Sequence, residues 1–487
     1  MHSTVEKTTL YLSQIAISGI LMLILMPIIS QYLTPGELGL FVLAQIYTST
    51  AVGIANFGML VSYERNFFIF EKSSEDSAKL ISSAVAFVIF NLSILLIVVY
   101  LFQSEISDLI FPTSTPDNLL FFVLIGAAAS SLSQYYLTFL KNSGLAKNYI
   151  KYTITSSVIN FIIAIGLITQ SNFGPMSLVY AWIISNSILF ILLFLILGRR
   201  LSVGCDLGML KDMLKISLPL TPRVFFGFMN TQLDKILLGF IGSSGLVGVY
   251  HMGQTFAMTI FQFMTGLDRV FQPEVYRKLF SNKHINESHE INNYILPFFY
   301  ISIFMALIVA IFSREFVSLF LSNEYQEAIP IIIILSIYYA SLFFGKITGI
   351  QLIFAKKTHI STLLMFAGIA INVGLNIPFI MKWGIVGAAW ATTISGILMA
   401  YVFYFAAQKY VKVLWQWHII LLIFSLFILG VAFALIDYSG SIIISSYASI
   451  MVKLLIILIY CILGYKLNIL KKIFSSFNSF SSFSSRP

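Results

Sequence analysis

Fourteen runs of this 487-residue chain are long and apolar enough to cross a lipid bilayer, which leaves little choice of architecture. About 20 residues at 1.5 Å each cross the hydrocarbon as a helix. The runs lie near residues 10–32, 38–62, 80–102, 119–140, 153–171, 175–197, 216–241, 246–273, 293–313, 328–354, 359–381, 385–407, 418–436 and 447–465. Backbone polar groups find no water inside lipid, so runs of this length must be helices. Only 10% of the residues are charged, against roughly a quarter in soluble domains. The expectation is an all-α integral membrane protein of about fourteen transmembrane helices. The first run, Leu10 to Tyr32, exceeds a signal-peptide core and has no small-residue cleavage site behind it, so it reads as a retained helix.

The Lys and Arg residues set the expected orientation. With the N-terminus cytoplasmic, the inside segments collect most of the 29 basic residues, while only Arg314, Lys382 and Lys453 fall outside. Glu105, Asp108, Glu315, Glu324 and Asp437 lie on that outer side. This bias predicts a multi-pass topology with both termini cytoplasmic. It also accounts for the net charge of +9 through membrane insertion, with no nucleic-acid partner needed.

The chain also repeats itself. Gly36-Glu37-Leu38-Gly39, followed by Gln45, returns 209 positions on as Gly245-Leu246-Val247-Gly248, followed by Gln254. Ala146-Lys147 returns as Ala355-Lys356. After a one-residue slip, Gly174 with Tyr180-Ala181 and Ser185 returns as Gly384 with Trp390-Ala391 and Ser395. Each repeat holds six runs, an even number, so the halves enter the membrane in the same direction, as in transporters with a pathway between two halves. The expected division is a six-helix lobe over 1–200, a repeated six-helix lobe over 201–410, two additional transmembrane helices over 411–467, and a cytoplasmic low-complexity tail over 468–487. The repeated Gly-x-x-Gly itself reads as a tight turn and close helix packing.

Ionisable groups within spans are costly, about 3 kcal/mol each at mid-bilayer. The deep ones are Arg223, Asp234 and Lys235 on the seventh run, Asp268 and Arg269 near the inner end of the eighth, and Lys346 on the tenth. Arg223, Lys346 and Arg269 suit a phosphate group in a cavity open to the cytoplasm, a guanidinium offering a planar fork and an ammonium a point charge. Against this stand snorkelling for Arg269 and Lys346, and a backbone loosened by Pro219 and Pro222 for Arg223. Asp234 and Lys235 read either as a mutually neutralising pair or as part of a coupling-ion path, with H+ or Na+ left open. Cys205 and Cys461 suggest no disulfide, and no phosphate-binding loop or paired His ligands occur, so no cofactor or metal is expected.

The segment Ser217-Leu-Pro-Leu-Thr-Pro222, then Asn230, Asp234-Lys235, Leu238-Gly239 and Gly245-Leu-Val-Gly-Val-Tyr250, resembles the start of the second half of polysaccharide exporters of the MOP superfamily, among them the Wzx-type O-unit flippases. Leu33-Thr-Pro-Gly-Glu-Leu-Gly39 resembles their first outside loop and Gly384-Ile-Val-Gly-Ala-Ala389 the entry to their twelfth span. The resemblance implies a MATE-like fold of two six-helix lobes plus two C-terminal helices. It implies, without enzyme chemistry, translocation of an undecaprenyl-pyrophosphate-linked oligosaccharide across the bacterial cytoplasmic (inner) membrane by alternating access. Membrane lipids and a polysaccharide polymerase would be its partners. Lys235 stands where such proteins more often carry Arg, and the first half lacks the deep Arg residues of the related lipid II flippases. The alternatives are a lipid II-type flippase, which the count of fourteen spans favours, and an exporter of small organic cations, which would want a buried acid that spans 1 to 6 lack away from their inner ends. A membrane-embedded glycosyltransferase or polymerase would carry a large catalytic outside loop, and the outside loops here are short. If Arg223 holds the pyrophosphate, Arg223→Ala abolishes export and Arg223→Lys retains part of it. Unchanged export by the Ala variant removes Arg223 from the site.

Overall fold

The computed structural model describes residues 2–70, 73–111, 115–116, 118–170, 173–198, 204–281, 290–440 and 446–469. Every regular element among them is helical. Eleven helices are long and apolar enough to cross a membrane. The longest, Thr358–Gln408, is two helices joined at Gly384, whose φ of 56° and ψ of −132° break the helical path, so runs eleven and twelve remain separate spans. Large apolar side chains such as Phe90, Leu101, Leu363, Phe405 and Met451 are exposed, as suits surfaces that meet lipid. The low-complexity tail from residue 470 onward lies outside the described residues.

The second run departs from its expected continuous helix. Pro35–Ala55 ends at Asn56, Phe57 and Gly58 take positive φ, and a new helix begins at Met59. The break is tolerated because neighbours pair the groups it frees. Asn56 Nδ2 donates to the Val52 carbonyl and to Ser131 Oγ, both at 2.8 Å, and Asn91 Nδ2 donates to the Ala55 carbonyl at 3.1 Å.

The repeated glycines meet each other. Thr34 and Glu37 close a capping box at the start of Pro35–Ala55, and Ser243, 209 positions later, accepts from the Leu246 amide at the start of Ser244–Ser281. Between these two starts the backbones touch. A Cβ on Gly39 would overlap the Ser244 carbonyl, and one on Gly248 would overlap the Pro35 carbonyl. Each would also stand 3.1 Å from the other glycine's amide nitrogen. The contact is reciprocal, a local two-fold between the two copies of the motif. Gly174 and Gly384 likewise share a positive φ, 52° and 56°, and Asn160 to Ser185 at 3.0 Å is matched by Asn372 to Ser395 at 2.9 Å.

The chain packs as two compact units, Thr9–Gly248 and Val249–Pro487 together with Met1–Thr8. In the first, Leu119–Asn142 is central, against Pro35–Ala55, Met59–Phe70, Ser74–Leu101 and Met176–Leu193. Leu207–Ile241, although it belongs to the second repeat, packs here on the 35–55, 59–70 and 74–101 helices. Ser62 Oγ donates to the Met213 carbonyl at 2.9 Å, and bare Gly239 receives Leu43.

In the second unit Ala328–Phe354 is central, against Glu290–Ile311, the 358–408 helices and Trp417–Ser439. The C-terminal helix Ser446–Lys466 docks by two devices. Tyr300 and Tyr460 stack at 4.6 Å, and each hydroxyl donates to the other's carbonyl at 2.9 Å. Fully buried Lys453 lies 2.5 Å from Glu315 Oε1 and 2.9 Å from Asp437 Oδ2, while Arg314 reaches Asp437 Oδ1 at 2.9 Å. Four charges that the sequence scatters over 140 positions form one neutral cluster.

Gly39→Ala or Gly248→Ala forces the two helix starts apart. The expected loss is about 1–3 kcal/mol, the usual cost of overpacking, read as a lower melting temperature of the purified protein. Gly53→Ala, where a Cβ would meet nothing within 4 Å, is the control and stays neutral or gains stability. Equal melting temperatures for all three variants would contradict the packing role of the repeated glycines.

Candidate functional site

The deep ionisable residues fall into two groups that belong to different units. In the second unit, Lys346 lies eight residues before the end of Ala328–Phe354. Its Nζ is 3.2 Å from Asp268 Oδ2 and 5.1 Å from the Phe261 ring centroid. Phe261, Thr265 and Asp268 sit at i, i+4 and i+7 and so share one face of Ser244–Ser281. Tyr339 and Lys346, seven apart, share a face of the neighbouring helix, with the Tyr339 ring tilted against that of Phe261 at 6.3 Å. The pair is mostly enclosed, with side-chain exposures of 24% for Lys346 and 14% for Asp268.

This group is polar beyond what it satisfies. Asp268 Oδ1 and Thr265 Oγ1 are both buried without a hydrogen-bond partner among the described residues. Leaving such atoms unpaired costs about 1–3 kcal/mol each, so the arrangement favours a polar ligand or water between them. Lys346, expected as an unpaired phosphate ligand or a cation with an unseen acid, has that acid in Asp268. Arg269 follows one position on, about 100° around the helix, and its side chain is exposed. The structure therefore brings Lys346 and Asp268 together and leaves Arg269 on an open face.

In the first unit, Asp234 and Lys235 are 7% and 6% exposed. Leu233 and Ile236 on either side are buried as well, so protein surrounds the helix at this turn and neither charge faces lipid. Asp234 is engaged by other groups. Arg223 lies on Leu207–Ile241, which continues through Pro219 and Pro222; the Arg223 side chain is outside the described residues. Among the described residues no group of His, Cys, Asp and Glu could hold a metal ion.

Of the residues gathered here, the Asp268 pairing and the place of Thr265 were hardest to find in sequence. Asp268 is visible as a charge within a span, but its pairing with a lysine 78 positions away depends on how two helices are aligned. Thr265 carries no signal beyond its i−3 spacing from Asp268.

Comparison with known proteins gives a consistent picture. A family model described as "Polysaccharide biosynthesis protein" matches residues 28–330. No curated protein matches the sequence. Among solved structures, the lipid II flippase MurJ in an inward closed conformation aligns with a TM-score of 0.69 at 18% identity, over 92% of this chain and 97% of that one. An inward-facing multidrug resistance MATE family transporter of the MOP superfamily aligns at 0.60 with 14% identity, over 82% and 94%. A mutant of the Vibrio cholerae MATE transporter VcmN aligns at 0.55 with 16% identity, over 84% and 98%. At these identities the structures show a common fold: an all-helical membrane protein of the MurJ and MATE type.

The Lys346 and Asp268 pair is testable directly. Asp268→Asn and Lys346→Met each leave one enclosed charge without its counter-charge, whereas the double variant leaves none. A double-mutant cycle on melting temperature is expected to give a coupling of about 1–3 kcal/mol. Additive effects would mean that the two charges do not interact in the membrane.

Proposed function

The chain belongs to the polysaccharide biosynthesis protein family and is a MOP-type membrane transporter, not an enzyme, and from that premise we propose that it flips a lipid-linked oligosaccharide. The substrate is an undecaprenyl-pyrophosphate-linked repeat unit of a surface polysaccharide, of the O-antigen kind, moved from the cytoplasmic to the outer leaflet of a bacterial inner membrane as by Wzx-type flippases. The observation that carries this reading is a transporter fold in a family defined by polysaccharide biosynthesis. A pathway that builds sugar units on a lipid inside the cell and uses them outside needs the head group carried across.

The physics of that crossing sets the task. The polyprenyl tail is as apolar as the bilayer, so the barrier lies in desolvating phosphates and sugar hydroxyls. A hydrated polar cleft in which the tail stays in lipid removes most of it, and no covalent step is required. Lys346 is the residue for the pyrophosphate in this reading. Asp268 neutralises it between cycles and is displaced by the incoming phosphate, a stronger partner with more charge and more acceptor oxygens. Arg269 and Arg223 stand as additional cations. Asp234 and Lys235, shielded from lipid, are candidates for coupling to H+ or Na+. The polysaccharide polymerase would receive the flipped unit.

Deleting the gene should remove the surface polysaccharide and accumulate lipid-linked units on the cytoplasmic side, and the wild-type gene should reverse both. Lys346→Ala should fail to complement, while Lys346→Arg should restore part of the export. Unchanged surface polysaccharide and lipid intermediates in the deletion strain would overturn the proposal and direct attention to small organic cations as cargo. Build-up of a peptidoglycan precursor instead would point to lipid II.

A further inference from the structure

The first unit contains a cavity of about 220 Å³ between His2–Tyr32, Ala146–Gln170 and Met176–Leu193. Its lining combines serines and asparagines with Leu, Met, Phe and Trp side chains and holds no ionisable residue. Ser157 lies 11 residues from one end of its helix and 13 from the other, or roughly 16–20 Å at 1.5 Å per residue. Ser185 is nine residues into its own helix. The cavity is thus near the bilayer midplane, where uncharged hydroxyls and amides are costly unless paired.

Part of the lining is paired and part is left over. Ser18 and Ser157 share a 3.0 Å hydrogen bond, Asn160 Nδ2 donates to Ser185 Oγ at 3.0 Å, and Asn186 Nδ2 donates to the Trp182 carbonyl at 2.8 Å. No described residue pairs with Ser156 Oγ, with Oδ1 of Asn160 or Asn186, or with the Trp182 Nε1–H. The corresponding place in the second repeat is closed: Asn372 reaches both Thr392 and Ser395, Asn376 bonds Asn372, and all four are buried. The Asn-to-Ser clasp is common to both halves, and the open cavity lies beside the first. Trp182 supplies an aromatic wall. A Cβ on Gly126 would stand 2.8 Å from its Cε3, so the indole is seated against bare backbone.

We propose that this cavity is a subsite for one uncharged pyranose ring of the transported head group, an inference that rests on the flippase reading. Amide and hydroxyl groups match sugar hydroxyls as donors and acceptors, and an indole matches the apolar face of a pyranose. The volume equals that of about seven waters at ~30 Å³ each, room for one ring. An acidic or cationic sugar is excluded because the lining offers no counter-charge.

The test uses the full-length protein in lipid nanodiscs and saturation-transfer NMR with the methyl glycosides of glucose, galactose and N-acetylglucosamine, with glucuronate as the charged control. At least one neutral glycoside should give a signal and glucuronate none. Ser156→Ala removes a hydroxyl that no protein group needs, so its melting temperature should hold while the signal falls about threefold to tenfold, the worth of one lost hydrogen bond. Asn160→Leu with Asn186→Leu should abolish the signal. No neutral signal, an equal signal in every variant, or a response to sodium alone would overturn the subsite. Complementation separates the two ideas. A wild-type gene that restores export, with variants that restore it equally, sinks the subsite and spares the flippase. A wild-type gene that restores nothing sinks both.

Discussion

The close approach of Gly39 and Gly248 is the contact on which the rest of this molecule is built. It lets the starts of two helices touch backbone to backbone, with neither position able to accept even a methyl group. Between apolar helices in lipid there is no hydrophobic drive to associate, so affinity comes from dispersion and close approach, which small residues permit. Because each motif meets its own copy, one short pattern specifies both sides of the contact. The capping groups Thr34 and Ser243 hold the two helix starts in place, and the 244–281 helix that begins here carries Thr265 and Asp268 onward into the second unit.

A second constraint is the treatment of polar groups inside a membrane. Some pair with one another: Lys453 with Glu315 and Asp437, Arg314 with Asp437, and Asn372 with Thr392, Ser395 and Asn376. These contacts tie helices together, although Glu315 Oε2 and Asp437 Oδ2 accept no hydrogen bond among the described residues. Beside Lys346, Thr265 Oγ1 and Asp268 Oδ1 are buried without a hydrogen-bond partner among the described residues, and Ser156 and Asn160 line an open cavity. A polar group short of partners inside a membrane is a place where a polar cargo gains by entering. The Lys346 and Asp268 pair lies in the second unit, and the neutral cavity beside Ser156 and Asn160 lies in the first.

If the cargo is the lipid-linked oligosaccharide proposed above, each unit offers chemistry that matches one part of its head group. A pyrophosphate wants cations that can be exchanged from an internal acid, and a sugar wants neutral donors, acceptors and an aromatic face. Transport of such a molecule asks for no bond making, so the residues to examine are those that lower the desolvation cost of its polar groups.

The helical class, the fourteen apolar runs and the two-fold repeat were determined by sequence alone, because lipid forbids unpaired backbone and leaves hydrophobic length as a sufficient signal. The deep positions of Asp268 and Lys346, and the likeness of Gly36–Gly39 to Gly245–Gly248, were legible for the same reason. Periodicity says which residues share a face but not which face meets which. Only the tertiary structure decided that the repeated glycines touch each other, that the second run breaks at Asn56 to Gly58, and that Lys346 is paired with Asp268. It also placed Leu207–Ile241 with the first unit and gathered Arg314, Glu315, Asp437 and Lys453 into one cluster. Each of these depends on the alignment of helices far apart in the chain, and apolar spans that all satisfy the membrane equally well carry no local record of it.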